Sequence, residues 1–163
     1  MKTCILLFTL FLSTILPSSA RIGETLDQCR SRYGPENKEL VKDAKSESVF
    51  FVKNGYVLRF MFDSSGKARF AEVYKMADGN FSIKNAIPMT DEERTILLNA
   101  NGNGKKWIIN RDQVFTEDKK YKAYGFHAGS KALTVICQDR DTVAEKASSA
   151  KAATNAQKSL QGF

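Results

Sequence analysis

The chain is poor in the residues that build reactive centres, with one histidine, one tryptophan, three prolines and three cysteines in 163 residues. Any imidazole chemistry rests on His127 alone, and no second histidine or acidic cluster stands at metal-ligand spacing. Cys4, Cys29 and Cys137 are too far apart for a Cys-x-x-Cys redox pair and too few for a zinc site. A 42% share of hydrophobic residues excludes a collagen-like or wholly disordered chain, and the length excludes a large catalytic barrel. The longest apolar run, Cys4 to Leu16, falls short of the roughly 20 apolar residues that cross a bilayer.

That run has a different meaning. Met1-Lys2-Thr3 gives a positive start, the apolar run follows, and Pro17-Ser18-Ser19-Ala20 ends on small residues. This is the pattern of a secretory signal over residues 1–20, cleaved after Ala20, with a membrane anchor as the alternative that the run's length disfavours. A lipoprotein anchor needs a cysteine directly after the cleavage site, and Arg21 stands there. Export to the periplasm or the medium is therefore expected.

Acidic residues are in the minority, 18 Asp+Glu against 25 Lys+Arg. Lys105, Lys106, Lys119, Lys120 and Lys122, with Arg111 nearby, form a local concentration of positive charge. It reads as a solvated loop face or as a site for a polyanion or cell surface. No nucleic-acid signature accompanies it, so nucleic acid is not expected as a partner.

The pattern predicts an α+β fold of two successive helix-plus-antiparallel-meander units, residues 21–87 and 88–138, sharing or abutting one core with each helix on a sheet face. In the first, Ile22, Leu26, Cys29 and Tyr33 form a helical stripe that Gly34-Pro35 ends. A hairpin turns at Asn54-Gly55, a third strand follows Asp63-Ser64-Ser65-Gly66, and a short piece is expected at Phe81 to Ile83. In the second, Thr90 and Glu93 form a capping box before Ile96 and Leu97, and Asn101-Gly102 closes the helix. Strands are expected at Trp107 to Ile109, Tyr121 to Phe126 and Leu133 to Gln138, with Val114-Phe115 as a short extra one. Residues 139–163, rich in Ala, Ser and Lys, read as a weakly helical or disordered tail.

Cys29 and Cys137 survive signal removal, and an even count in an oxidising compartment suggests one disulfide between the halves; two buried thiols are the alternative. His127 lies in a glycine-flanked turn, and no serine stands in a nucleophile-elbow motif. Asp91-Glu92-Glu93 fits the first turn of a helix better than acid–base chemistry. No catalytic residue, cofactor or metal is assigned. Strands with large residues on both faces, such as Val49-Phe50-Phe51-Val52 and Tyr121 to Phe126, leave aromatics to be covered or presented to a partner. Trp107, beside Lys106 and the glycine loop, is the first candidate for an exposed aromatic contact.

The series Gly23, Thr25, Cys29, Tyr33-Gly34-Pro35, followed by Asn54-Gly55 and Phe60-Met61-Phe62-Asp63-Ser64-Ser65-Gly66, resembles the small envelope domains of the SmpA/OmlA type over residues 22–75. The two successive helix-plus-meander units are also similar to secreted β-lactamase-inhibitor-like proteins. Both resemblances imply binding without catalysis. The expectation is an exported, non-enzymatic binding or envelope-assembly protein with a protein or glycan partner, and Lys105, Lys106, Trp107, Lys119, Lys120 and Lys122 are the candidate surface. Polyanion or cell-surface binding, or an enzyme of unrecognised type, is the alternative.

Overall fold

The computed structural model describes residues 21–40, 48–77, 81–110 and 113–140, with Lys146 and Ser149. The expected signal and nearly all of the expected tail lie outside the described residues.

Helix α1 (Leu26–Tyr33) begins where Thr25 and Gln28 cap one another, Thr25 Oγ1 accepting the Gln28 N–H and Gln28 Oε1 accepting the Thr25 N–H at 2.8 Å. This box starts the helix later than the apolar stripe from Ile22 predicts. The residues before it form a turn instead, with Gly23 at φ 90°, and bond to Ala68: the Gly23 N–H donates to Ala68 O, and the Ala68 N–H to Glu24 O, both at 2.8 Å. Strands β1 (Val49–Lys53) and β2 (Tyr56–Phe62) follow, joined by Asn54 and Gly55 at φ 51° and 80°, the positive values a tight hairpin turn requires. Asp63 closes the next turn by accepting from the Ser65 and Lys67 amides, and β3 (Ala68–Met76) returns alongside β2. The short piece expected at Phe81 to Ile83 is a 3-10 turn (Ile83–Asn85) leading into β4 (Ala86–Ile87), which pairs with β3.

Helix α2 (Asp91–Asn101) opens with the expected box, Thr90 N–H to Glu93 Oε2 at 2.7 Å and Glu93 N–H to Thr90 Oγ1 at 3.2 Å. Four strands complete the chain: β5 (Trp107–Asn110), β6 (Gln113–Thr116), β7 (Tyr121–Tyr124) and β8 (Ala132–Cys137).

The two stretches expected as units are joined in one sheet. Strands β3 and β8 pair antiparallel from Phe70↔Ile136 to Tyr74↔Ala132, giving the order β1-β2-β3-β8-β7-β6-β5 in an antiparallel sheet of eight strands, with β4 beside β3. The fold is thus α+β. Both helices bury their apolar side on the same face: Cys29, Tyr33, Leu97 and Leu98 join Phe51, Phe60, Val73, Val114 and Val135 in one cluster. Ties between layers are polar. The Ile22 N–H donates to the buried Asn101 Oδ1 (3.0 Å), and Glu93 accepts from the Tyr56 hydroxyl (2.7 Å) and the Lys75 ammonium (2.8 Å). Burial pushes the Glu93 carboxyl upward, but Lys75, the Thr90 N–H and Tyr56 outweigh it and bring it down to about 2.

The expected disulfide is not formed. Cys29 and Cys137 are both free, buried thiols within the same apolar cluster. Burial, then the Glu24 carboxylate, pushes the Cys29 thiol up to about 12 despite Arg32, so it stays protonated and unreactive at neutral pH.

Candidate functional site

Because side chains alternate along a strand, the residues between the core positions face away from the helices. On the part of β1–β3 next to the Asn54-Gly55 turn this outer face is covered. Phe50, Val57, Met76 and Ala86 are buried in a second cluster, closed over by Leu40 and by Ile83 of the 3-10 turn. The aromatic pair Phe50-Phe51 therefore has both members buried, one on each face.

Across β5–β8 the outer face is open among the described residues. The registers bring Met61, Phe70, Ile136, Lys122, Phe115 and Ile108 side by side in a single row over six strands. Five of these are half-buried and Ile108 is exposed. A second row holds Arg59, Glu72, Thr134 and Tyr124. Its centre is tied, Glu72 accepting from Arg59 and from the Thr134 hydroxyl at 3.2 Å each. Two cations lie over aromatic faces: Arg59 is 5.5 Å from the Phe70 ring centroid and Lys122 Nζ is 4.9 Å from that of Tyr124. Tyr124 is 45% exposed, so its other side is available to a partner. Beside the row a shallow depression of about 250 Å³ is lined by Gln113, Phe115, Lys119, Lys122 and Gln138.

The lysines predicted as one surface are divided. Lys119 and Lys122 line the depression on the outer face, whereas Lys120 lines a different one of about 420 Å³ with Asp63, Tyr121 and Arg140. There Arg140 pairs with Asp63 at 2.5 Å. Burial raises the Asp63 carboxyl, and the Ser65 hydroxyl, the Lys67 N–H and Arg140 bring it down to about 2. Lys105 pairs with Asp118 at 3.6 Å, and Lys106 is exposed just ahead of β5.

Trp107 is not the free aromatic contact that its neighbours suggest. It is half-buried against the core, and its indole Nε1–H donates at 2.8 Å to Leu98 O, which also accepts the Gly102 N–H at 3.0 Å at the end of α2. A Cβ at Gly102 would come within 2.6 Å of that Nε1, so this glycine allows the close approach. The exposed apolar residues next to Trp107 are Ile108 and Ile109. Their signal in the sequence is the continuous Trp107-Ile108-Ile109 run, which puts large residues on both faces of a strand.

His127 is exposed in its turn, with Nδ1 at 3.2 Å from the adjacent Ala128 carbonyl oxygen. Among the described residues no group of three or more His, Cys, Asp or Glu side chains is placed to hold a metal ion, and no helix is long and apolar enough to cross a membrane. No protein-family model, curated protein or solved structure matches this chain.

Proposed function

We propose that this chain is an exported, non-enzymatic protein that binds another macromolecule through the outer face of β5–β8. The observation that carries the reading is the difference in cover. The same sheet face is sealed by a second apolar cluster around Phe50, Val57 and Met76 on part of β1–β3, and it presents a half-exposed row of aromatic, aliphatic and lysine side chains that runs from Met61 and Phe70 across β8, β7 and β6 to Ile108 on β5. Aromatic anchors bordered by cations suit a protein or glycan surface better than a small-molecule site, which is concave and enclosed. Export rests on the signal pattern read over residues 1–20. The tethering of Ile22 to Asn101 gives the shortened chain a place for its new end. The resemblance to envelope-assembly and inhibitor-like proteins points the same way, toward binding without catalysis.

The test is retention of partners from envelope extract by two immobilised baits, the mature protein and its Phe115→Glu/Tyr124→Glu variant. The reading requires a protein or glycan that the first bait holds and the second releases, above an unrelated basic protein. Equal retention by both baits, or none, overturns it. Binding through lysine charge alone is distinguished by its steep decline with salt and its indifference to the two aromatic substitutions.

A further inference from the structure

The two edges of the sheet are built differently. At the β1 edge the Asn37 N–H donates to Phe50 O at 2.8 Å, so the chain's own 36–40 segment occupies part of that edge. At the other end, among the described residues, β5 is the last strand and pairs with β6 alone. The Glu117 N–H donates to Lys106 O at 3.0 Å, which fixes the alternation of the antiparallel ladder. Lys106, Ile108 and Asn110 turn their backbone groups toward β6, and Trp107 and Ile109 turn theirs outward. Outward-facing N–H and C=O groups on a last strand are a template for another strand. Within the strand itself no side chain from Trp107 to Asn110 is charged, and Ile108 is 38% exposed on the outer face and Ile109 55% exposed on the helix face.

We propose that β5 is a strand-addition site for an extended polypeptide segment that is apolar at its centre and acidic at its flanks. This rests on the reading of β5–β8 as a macromolecule-binding end and adds the mode of binding and the chemistry of the partner. Ile108 and Ile109 offer an apolar contact on each face of the added strand, and the outward groups of Trp107 and Ile109 supply its backbone partners. Charge selects among occupants. Lys105 and Lys106 lead into the strand, and Lys119 and Lys122 line the depression that includes Phe115, the cross-strand neighbour of Ile108; of the nearby carboxylates, Glu117 stands opposite Lys106, and Asp118 is already engaged by Lys105 and by the Thr116 hydroxyl at 2.7 Å. Two copies of this chain, each of net charge +7 with that lysine pair at the edge, repel one another there, whereas an acidic segment is attracted.

The probe is a synthetic peptide of alternating valine and threonine with glutamates at both ends, titrated against the mature protein and followed by anisotropy and amide hydrogen exchange. The proposal requires saturable binding, new protection at the Trp107 and Ile109 amides, and at least about tenfold weaker binding by Ile109→Pro, which removes one outward N–H without touching the β6 ladder. Should that variant fold poorly by circular dichroism, Ile109→Asp keeps the N–H, repels the glutamates, and is expected to weaken binding to the same degree. Equal binding by wild type and both variants overturns strand addition while leaving the outer face in place, since the Phe115→Glu/Tyr124→Glu bait reports on that face separately. No binding of the peptide overturns the proposal, as does equal binding of inorganic polyphosphate with the same salt dependence. A dimer in sedimentation that Ile109→Pro abolishes would assign the edge to a second copy and also overturn it.

Discussion

The β1–β3 and β5–β8 ends of the sheet are made of similar strands, yet only one is closed on both faces. Over β1–β3 the helix layer seals one face, and the 36–40 and 83–87 segments seal part of the other and part of the edge. Over β5–β8 the helix layer is matched by nothing else among the described residues. Where burial is two-sided, residues serve stability; over β5–β8 it is one-sided, and Ile108, Ile109 and Tyr124 stay exposed. The open end is therefore the part of the molecule to which the proposed binding is assigned.

The largest test of this contrast is Phe50→Ala, which empties a fully enclosed position and should cost about 3–5 kcal/mol in denaturant unfolding. A cost near that of a surface substitution would show that the second cluster is not closed. Asn101→Ala leaves the Ile22 N–H without its buried partner and should cost about 1–3 kcal/mol in the same measurement. A neutral result would mean that the start of the chain is not held against α2.

Acid sharpens the account of the layer contact. The folded Glu93 carboxyl is held near 2 against an ordinary 4.5, so the unfolded chain takes up the proton first as pH falls. Its contribution is complete above about pH 5 and is lost as the pH drops through the range down to about 2. Glu93→Gln should lower stability at neutral pH and flatten that part of the stability–pH curve. An unchanged slope would place the acid sensitivity elsewhere, with Asp63 the next group to replace. The smallest expected effect lies at the open end, where Tyr124→Ala should move stability by no more than about 0.5 kcal/mol. A larger loss would mean that Tyr124 is part of the fold and not held for a partner.

Much of the local structure is legible in the sequence because single short signals dictate it. Thr90 with Glu93, Asn54 with Gly55, and Asp63 with Gly66 each satisfy nearby backbone groups without help from the rest of the chain. The turn at Ile22-Gly23 looks helical in sequence because the apolar stripe from Ile22 competes with the Thr25–Gln28 box, which sets the true start. The β3–β8 pairing that joins the halves depends on residues far apart in sequence, such as Glu72 and Thr134, and no local pattern encodes it. The candidate surface is half legible. Its lysines stand close in sequence, but Lys120 belongs to the turn that follows Lys119 and Lys122 to β7, and the two line different depressions. The burial of Trp107 is hidden from sequence because the carbonyl it donates to belongs to a helix end brought near by Gly102.

The most direct measurement is photo-crosslinking in envelope extract with a benzophenone amino acid placed either at Tyr124 on the open face or at Phe81 in the stretch leading to the 3-10 turn, both exposed. The account predicts a defined macromolecular adduct from Tyr124 and none from Phe81. An adduct from Phe81 alone, or the same adduct from both positions, would contradict it.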